Sequence, residues 1–129
     1  MSLPPRILVI MSDQSRRALI RAALREVGYD AIGASDMDEA RRYRAIEPGR
    51  GTVQLVVVDQ DNAVREMAEL REILASHHGP RVVLLAHATH EPPAGPWSRI
   101  VRRPVSVEDV VAAVRSELPL PEQSRNPLD

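Results

Sequence analysis

Apolar runs of strand length alternate with segments of helical period along most of the chain. This alternation is typical of a parallel β-sheet built from βαβ units. The most apolar stretches, at 6–11, 53–58 and 81–86, are continuous rather than alternating, as expected for strands covered on both faces. With shorter runs at 30–33 and 99–102, the pattern predicts a sheet of five strands.

Four helical segments are predicted, at 14–27, 35–46, 63–76 and 106–118. Gly28 suits the C-terminal cap of the first, because glycine adopts the left-handed conformation without strain. Ser35 and Ser106 each precede an acid by three residues, Asp38 and Asp109, which favours a capping box at the start of the second and last helices.

The segment between the fourth and fifth strands disfavours a helix. Pro92, Pro93 and Pro96 each remove a backbone donor and clash with the preceding turn. We therefore expect the fourth helix to be short or missing, and Trp97 to be either a lid on the core or an exposed partner contact. The predicted fold is a three-layer α/β domain with an open, parallel, five-stranded sheet of order 2-1-3-4-5, the flavodoxin-like arrangement.

The length of 129 residues and the apolar content of 43% predict one domain. We place it at 6–118, with 1–5 as an N-terminal tail or tag and 119–129 as a polar tail or linker. No apolar run approaches the roughly 20 residues that cross a bilayer. The N-terminus also lacks a secretory-signal pattern, so we expect a cytoplasmic protein that does not enter a membrane.

The absence of cysteine excludes thiolate nucleophiles, disulfides and cysteine-based metal sites. A formal net charge of -1 provides no basic field for nucleic acid, so none is expected as a partner. His77, His78, His87 and His90 lie in polar segments, and we interpret them as solvated loop histidines rather than zinc ligands. A nucleotide- or flavin-binding enzyme is a weaker alternative, because no phosphate-binding glycine loop follows the first strand.

The topology predicts where a site should lie. Ligands of open parallel sheets bind beyond the carboxyl ends of the strands, where the strand order reverses. This rule brings Ser12, Asp13, Asp59 and Asp61 to one crevice, with Arg103 opposite them. Carboxylates facing a cation predict a divalent-metal or phosphoryl site. The alternative is that Asp59 only begins a turn.

The order and spacing of several segments resemble the response-regulator receiver family of two-component signalling, from Arg6 to Leu118. The matching segments are 7–10, 28–29, 55–59, 82–86 and 103–104. The resemblance implies that Asp59 occupies the phosphoacceptor position. There a carboxylate attacks a phosphoryl donor while Mg²⁺ neutralises the charge. It also implies a signalling domain rather than an enzyme.

The residues that hold the metal in the family are altered here. The two adjacent metal-binding acids of the family fall on Met11 and Ser12, and neither carries a charge. Asp13 and Asp59 remain as candidate metal ligands. Since Mg²⁺ needs several well-placed oxygens, we expect a weakened site.

The switch residues also differ from the family pattern. The family's hydroxyl at the end of the fourth strand falls on Ala86, and its aromatic on the fifth strand falls on Ile100. The family's lysine falls on Arg103, which we expect to hold Asp59 in a bidentate salt bridge. An acceptor held in this way is a poor nucleophile.

These losses predict a degenerate receiver that acts as a phosphorylation-independent protein-interaction module. The alternative is a conventional receiver phosphorylated on Asp59 by a histidine kinase, with Asp13, Asp61 and Arg103 replacing the usual partners. Expected partners are a kinase, an output domain or another regulator. A homodimer through the last helix and fifth strand is a further expectation.

Overall fold

The computed structural model describes residues 3–103 and 105–120, arranged around a central parallel sheet of order β2-β1-β4-β5-β6. The strands are β1 (Arg6–Ile10), β2 (Asp30–Ala34), β3 (Ile46–Glu47), β4 (Gly51–Asp59), β5 (Arg81–Ala86) and β6 (Arg99–Arg102). The helices are α1 (Gln14–Val27), α2 (Met37–Ala40), α3 (Gln60–Arg65), α4 (Met67–Ser76) and α5 (Val107–Glu117). The predicted fold class and strand order are confirmed, with β3 as an additional short strand that pairs antiparallel with β4.

The sheet is covered on both faces, which explains why its strands are continuously apolar. Alternate strand residues contribute to two core clusters, so Leu8 and Val56 face one layer while Val9 and Val57 face the other. The first cluster includes residues of α2, α3 and α4, and the second includes residues of α1 and α5. The three-layer prediction is therefore confirmed.

Two predicted helix ends are confirmed by their capping geometry. α1 ends at Gly28, whose φ of 117° lies in the left-handed region that favours glycine. α5 begins with a reciprocal capping box between Ser106 and Asp109. Both signals are local in sequence, which is why they could be read without the tertiary structure.

The second helix is much shorter than predicted. It ends at Ala40 rather than near residue 46. Its N-cap is Asp36 rather than Ser35, and the Asp36 side chain accepts from the backbone N–H of Glu39. The chain then turns into β3, which pairs with the first residues of β4. The hydroxyl of Tyr43 donates to the Gly33 carbonyl at 2.7 Å, so the segment after α2 is tied to strand β2.

The predicted helix at 63–76 is two helices. α3 begins at Gln60, directly after Asp59, so the loop expected after the acceptor position is instead a helical turn. The break falls at Glu66, whose φ of -128° and ψ of 39° are not helical. The Glu66 carboxylate accepts from the backbone N–H of Met37 at 3.4 Å, a tertiary contact that accompanies the break.

The connection between β5 and β6 contains no helix, as expected from its prolines. Trp97 is half-buried and packs against the first core cluster. Its indole N–H donates to the Pro93 carbonyl at 2.7 Å. Of the two interpretations of Trp97, the structure supports a lid on the core.

Gly95 makes this lid testable. A Cβ at Gly95 would lie 2.5 Å from Cε2 of the Trp97 ring, too close for a real contact. We expect Gly95→Ala to displace the indole and to lower the free energy of unfolding by about 1–3 kcal/mol. Since Trp97 is the one tryptophan of the chain, its fluorescence emission should shift to the red. Ala94→Ser, at an exposed neighbour, should leave the emission unchanged; an unshifted spectrum in Gly95→Ala would contradict the lid.

The packing continues past the predicted domain boundary at residue 118. Leu120 is partly buried and packs against the second core cluster. The predictions for residues 1–2, for Pro104 and for 121–129 lie outside the described residues, so the boundaries of the two tails stay predictions. Within 3–103 and 105–120, no helix is long and apolar enough to span a bilayer.

Candidate functional site

The five parallel strands end at the same edge of the sheet, and the candidate site lies there. Asp59 is the last residue of β4 and Ala86 the last of β5. Arg103 follows β6, and its backbone N–H donates to the Ala86 carbonyl at 3.0 Å. The predicted meeting of Asp59, Ala86 and Arg103 is therefore present.

Asp59 is paired with Arg103. Nη2 of Arg103 donates to Oδ1 of Asp59 at 2.7 Å. The Asp59 side chain is only 10% exposed and that of Arg103 is 33% exposed, so the carboxylate side of the ion pair is shielded from water. The charge-assisted hydrogen bond engages Oδ1 and lowers the nucleophilicity of the carboxylate.

The expected bidentate geometry of this salt bridge is wrong. A single Arg103 nitrogen bonds to Asp59, and Nε of Arg103 is buried without a hydrogen-bond partner among the described residues. The guanidinium therefore contacts Asp59 through one arm.

Asn62 fills the place between the ends of β1 and β2. It is fully buried, and its Oδ1 accepts from both the backbone N–H and the hydroxyl of Ser12, at 3.2 and 3.1 Å. Its Nδ2 donates to the Ser35 carbonyl at 3.1 Å. A neutral amide on α3 thus satisfies backbone groups that follow β1 and β2.

Gln60, next to Asp59 in sequence, bonds to the loop that follows β5. It is 4% exposed, and its Oε1 accepts from the backbone N–H of His87 at 2.8 Å. The Asp61 carboxylate lies 2.8 Å from Nε2 of the same histidine. Asp61 is therefore near Asp59 in sequence but is directed to the loop after β5.

An open cleft of about 500 Å³ lies beside this network. It is lined by α3 and by the loop that follows β5, through Gln60, Asp61, Val64, Arg65, His87, His90 and Glu91. Arg65 also donates to the Ser12 hydroxyl at 3.3 Å, which links the cleft to the Asn62 network.

The remaining predicted metal ligand, Asp13, has a structural role. Its carboxylate accepts from the backbone N–H of Arg16 at 3.0 Å and caps the exposed start of α1. In the described part of the chain, no group of three or more histidine, aspartate or glutamate side chains could hold a metal ion. Because Mg²⁺ needs several oxygen ligands and Asp59 is engaged with a cation, these residues do not fit the dication.

The two other switch positions, Ala86 and Ile100, carry apolar side chains. Ala86 is fully buried at the end of β5 and provides no hydroxyl. Ile100 is 41% exposed on β6. Met11, at one of the family's acid positions, is 1% exposed and belongs to the second core cluster.

The sequence interpretation missed Gln60, Asn62 and His77. The available signal for Gln60 and Asn62 was that both amides follow a buried strand. That position faces the edge of the sheet, where backbone groups need partners. The interpretation of the histidines as solvated is wrong for His77, which is 4% exposed. His87 is partly buried and bonded to Asp61.

Comparisons with known proteins agree on the architecture. No family model matches the chain, and no curated protein matches it in sequence. A receiver domain protein from Clostridium thermocellum superposes with a TM-score of 0.71 at 22% identity, over 88% of this chain and 94% of that one.

Two further solved structures give the same result. A response regulator receiver protein from Burkholderia phymatum has a TM-score of 0.70 at 21% identity, over 91% of this chain and 97% of that one. The chemotaxis protein CheY4 of Vibrio cholerae has a TM-score of 0.69 at 15% identity, over 89% and 99%. At these identities the likeness extends to the fold, and the chain therefore has the fold of the response-regulator receiver domains.

Proposed function

We propose that this chain is a receiver-like signalling module whose conformation is set by internal ion pairing and amide bonding rather than by phosphorylation of Asp59. It acts by binding a protein partner, such as a kinase, an output domain or another regulator. In this proposal the domain performs no enzymatic reaction of its own.

The observation that carries the proposal is the shielded bond between Asp59 and Arg103 at 2.7 Å. A phosphoryl donor must approach the carboxylate, and the attacking oxygens must be free while a dication neutralises the incoming charge. Here the carboxylate is 10% exposed and paired. The acids that would hold the dication are replaced by Met11 in the core and by Ser12 bonded to Asn62.

Incubation with acetyl phosphate and Mg²⁺ tests this proposal. Intact-mass spectrometry should show no phosphate adduct on the wild-type chain. A phosphorylatable receiver in the same reaction provides the positive control, and Asp59→Asn provides the baseline. A wild-type adduct that is lost in Asp59→Asn would overturn the proposal.

A conventional receiver is the second candidate, favoured by Asp59 and a cation meeting at the end of β4 as that chemistry requires. Beryllofluoride mimics an acyl phosphate and separates the two functions. A conventional receiver should bind it in the presence of Mg²⁺, with amide shifts at residues 59, 86 and 103. We expect the NMR spectrum of this protein to stay unchanged.

A further inference from the structure

A second cavity, of about 270 Å³, lies between α4 and the segment that follows α2. Its lining shares no residue with the cleft beside Asp59. The lining residues are Arg41, Tyr43, Glu72, Ile73, Ser76 and His77. A binding function here would therefore be independent of the proposed role of the acceptor position.

The walls of this cavity suit a flat apolar molecule. Tyr43 is half-buried and packs against the first core cluster, and Ile73 is 3% exposed within that cluster. Aromatic and aliphatic walls favour ring systems, because rings bury a large area at little cost in conformational entropy.

Most polar groups of the lining already have partners. Arg41 bonds to Glu72 at 3.2 Å and to Asp38 at 3.3 Å, so the cation at the rim is already paired. The Tyr43 hydroxyl donates to Gly33, and the Ser76 hydroxyl donates to the Ile73 carbonyl at 2.9 Å. An anionic ligand therefore finds no unpaired cation among these lining side chains.

His77 is the exception. It is 4% exposed, and its ring makes no hydrogen bond within residues 3–103 and 105–120; Nδ1 is buried without a partner. Burial lowers the pKa of His77, and the nearby charges of Arg6 and His78 lower it further, so the ring is neutral near pH 7. A neutral imidazole offers one donor and one acceptor, and an unmet group of this kind in a cavity wall selects a ligand that satisfies it.

We propose that this cavity binds a small, neutral, planar heteroaromatic molecule that lies against Tyr43 and Ile73 and hydrogen-bonds to the ring of His77. The volume fits two fused rings, since a protein cavity of about 150 Å³ accommodates benzene. Arg41 and Glu72 flank the ligand as an ion pair at the rim. This site would give the domain a small-molecule input separate from Asp59.

Benzimidazole is a suitable test compound, because it has two fused rings with one donor and one acceptor nitrogen. Titrated into the ¹⁵N-labelled full chain at pH 7.5, it should cause saturable amide shifts centred on residues 41–45 and 72–78. Indane, which has the same shape without polar atoms, should bind about tenfold more weakly, the effect of one lost hydrogen bond in an apolar site.

Two pairs of variants locate the site. Ser76→Phe, at an exposed lining position, should block the mouth and abolish the shifts; Ala75→Phe, at the exposed neighbour outside the lining, should leave them unchanged. His77→Phe should reduce benzimidazole affinity to that of indane.

The proposal is overturned if the wild-type chain shows no saturable shifts, if the shifts lie elsewhere, or if Ser76→Phe leaves them in place. Equal affinities for benzimidazole and indane would remove the role of His77. None of these outcomes depends on whether Asp59 is phosphorylated, so failure here is distinguishable from failure of the receiver-like function.

Discussion

Replacing Asp30 with alanine is expected to lower the free energy of unfolding by about 3–5 kcal/mol, since it leaves a buried charge without its counter-ion. The Arg6 side chain is 1% exposed, and its Nε lies 3.5 Å from the Asp30 carboxylate. Its hydrogen bond is from Nη1 to the Gly51 carbonyl at 2.9 Å, while Nε is buried with no hydrogen-bond partner among the described residues. A neutral carbonyl does not compensate a buried guanidinium, so urea unfolding should show the loss directly.

Asp38→Ala is the matched control. Asp38 also pairs with an arginine, Arg41, at 3.3 Å, but its side chain is 84% exposed. An exposed pair is worth about 0.5 kcal/mol, so this variant should be nearly as stable as the wild type. The double variant Arg6→Met/Asp30→Ala should be more stable than Asp30→Ala alone, because it removes the uncompensated charge. Equal losses in Asp30→Ala and Asp38→Ala would contradict the assignment.

The ion pairs of Asp30 also predict that stability depends on pH. The hydrogen bond from Arg50, with further help from the charges of Arg50 and Arg6, holds the pKa of Asp30 below its ordinary value. A carboxylate with a lowered folded-state pKa stabilises the fold above its unfolded-state pKa of about 3.9. The stability difference between wild type and Asp30→Ala should therefore be full above that pH. It should shrink as the pH falls through the lower, folded-state value.

Asn62→Leu is expected to lower the free energy of unfolding by about 2–4 kcal/mol, because a fully buried amide with three hydrogen bonds is replaced by an apolar group of similar size. The change leaves the Ser12 N–H and the Ser35 carbonyl without their partner. Hydrogen exchange at the Ser12 amide should accelerate at the same time. Urea unfolding and exchange measured by NMR check the two effects together.

Two variants calibrate the effect of Asn62→Leu. Ser12→Ala removes the 3.1 Å bond from the hydroxyl to Asn62 and the exposed 3.3 Å bond from Arg65, and it should cost about 1 kcal/mol. Gln14→Leu changes an exposed amide to the same apolar side chain and should stay within about 0.5 kcal/mol of wild type. If Asn62→Leu were no more destabilising than Gln14→Leu, the amide would not hold the strand ends together.

The hydrogen bonds of Asn62 and the ion pair of Asp59 have one feature in common. Polar groups of this domain bond to one another at the edge of the sheet. Asn62 accepts from Ser12, Gln60 accepts from the backbone N–H of His87, and Arg103 donates to Asp59. Under the proposed function, a partner therefore meets a preformed surface there. Under the same proposal, this surface keeps its shape without a metal or a phosphoryl group.

The sheet and its outer helices were predictable because their signals repeat over many residues. The bounds of α1, β5 and β6 match the predicted spans, and the glycine and serine caps lie where local backbone geometry demands them. The placement of Asp59 near Arg103 followed from topology alone, since the carboxyl ends of parallel strands meet at one edge.

The second and third helices were not predictable in this way. A helical pattern near 41–46 competes with pairing to the start of β4 and with the bond from Tyr43 to Gly33. The continuous pattern at 63–76 is interrupted at Glu66, whose carboxylate bonds to Met37, 29 residues away in sequence. Contacts between residues so distant in the chain produce no periodic pattern in the local sequence.

The sequence by itself determined the layers, the strand order and the lack of acids at positions 11 and 12, because these depend on hydrophobic periodicity and on which residue types are present. Only the tertiary structure decided which polar groups meet. It gave Arg103 a contact through one nitrogen, buried the Asn62 amide among its partners, and left the His77 ring without a bond to the described residues. A hydrogen bond requires donor and acceptor within about 3.5 Å in the right orientation, and that geometry is set only when distant elements pack together.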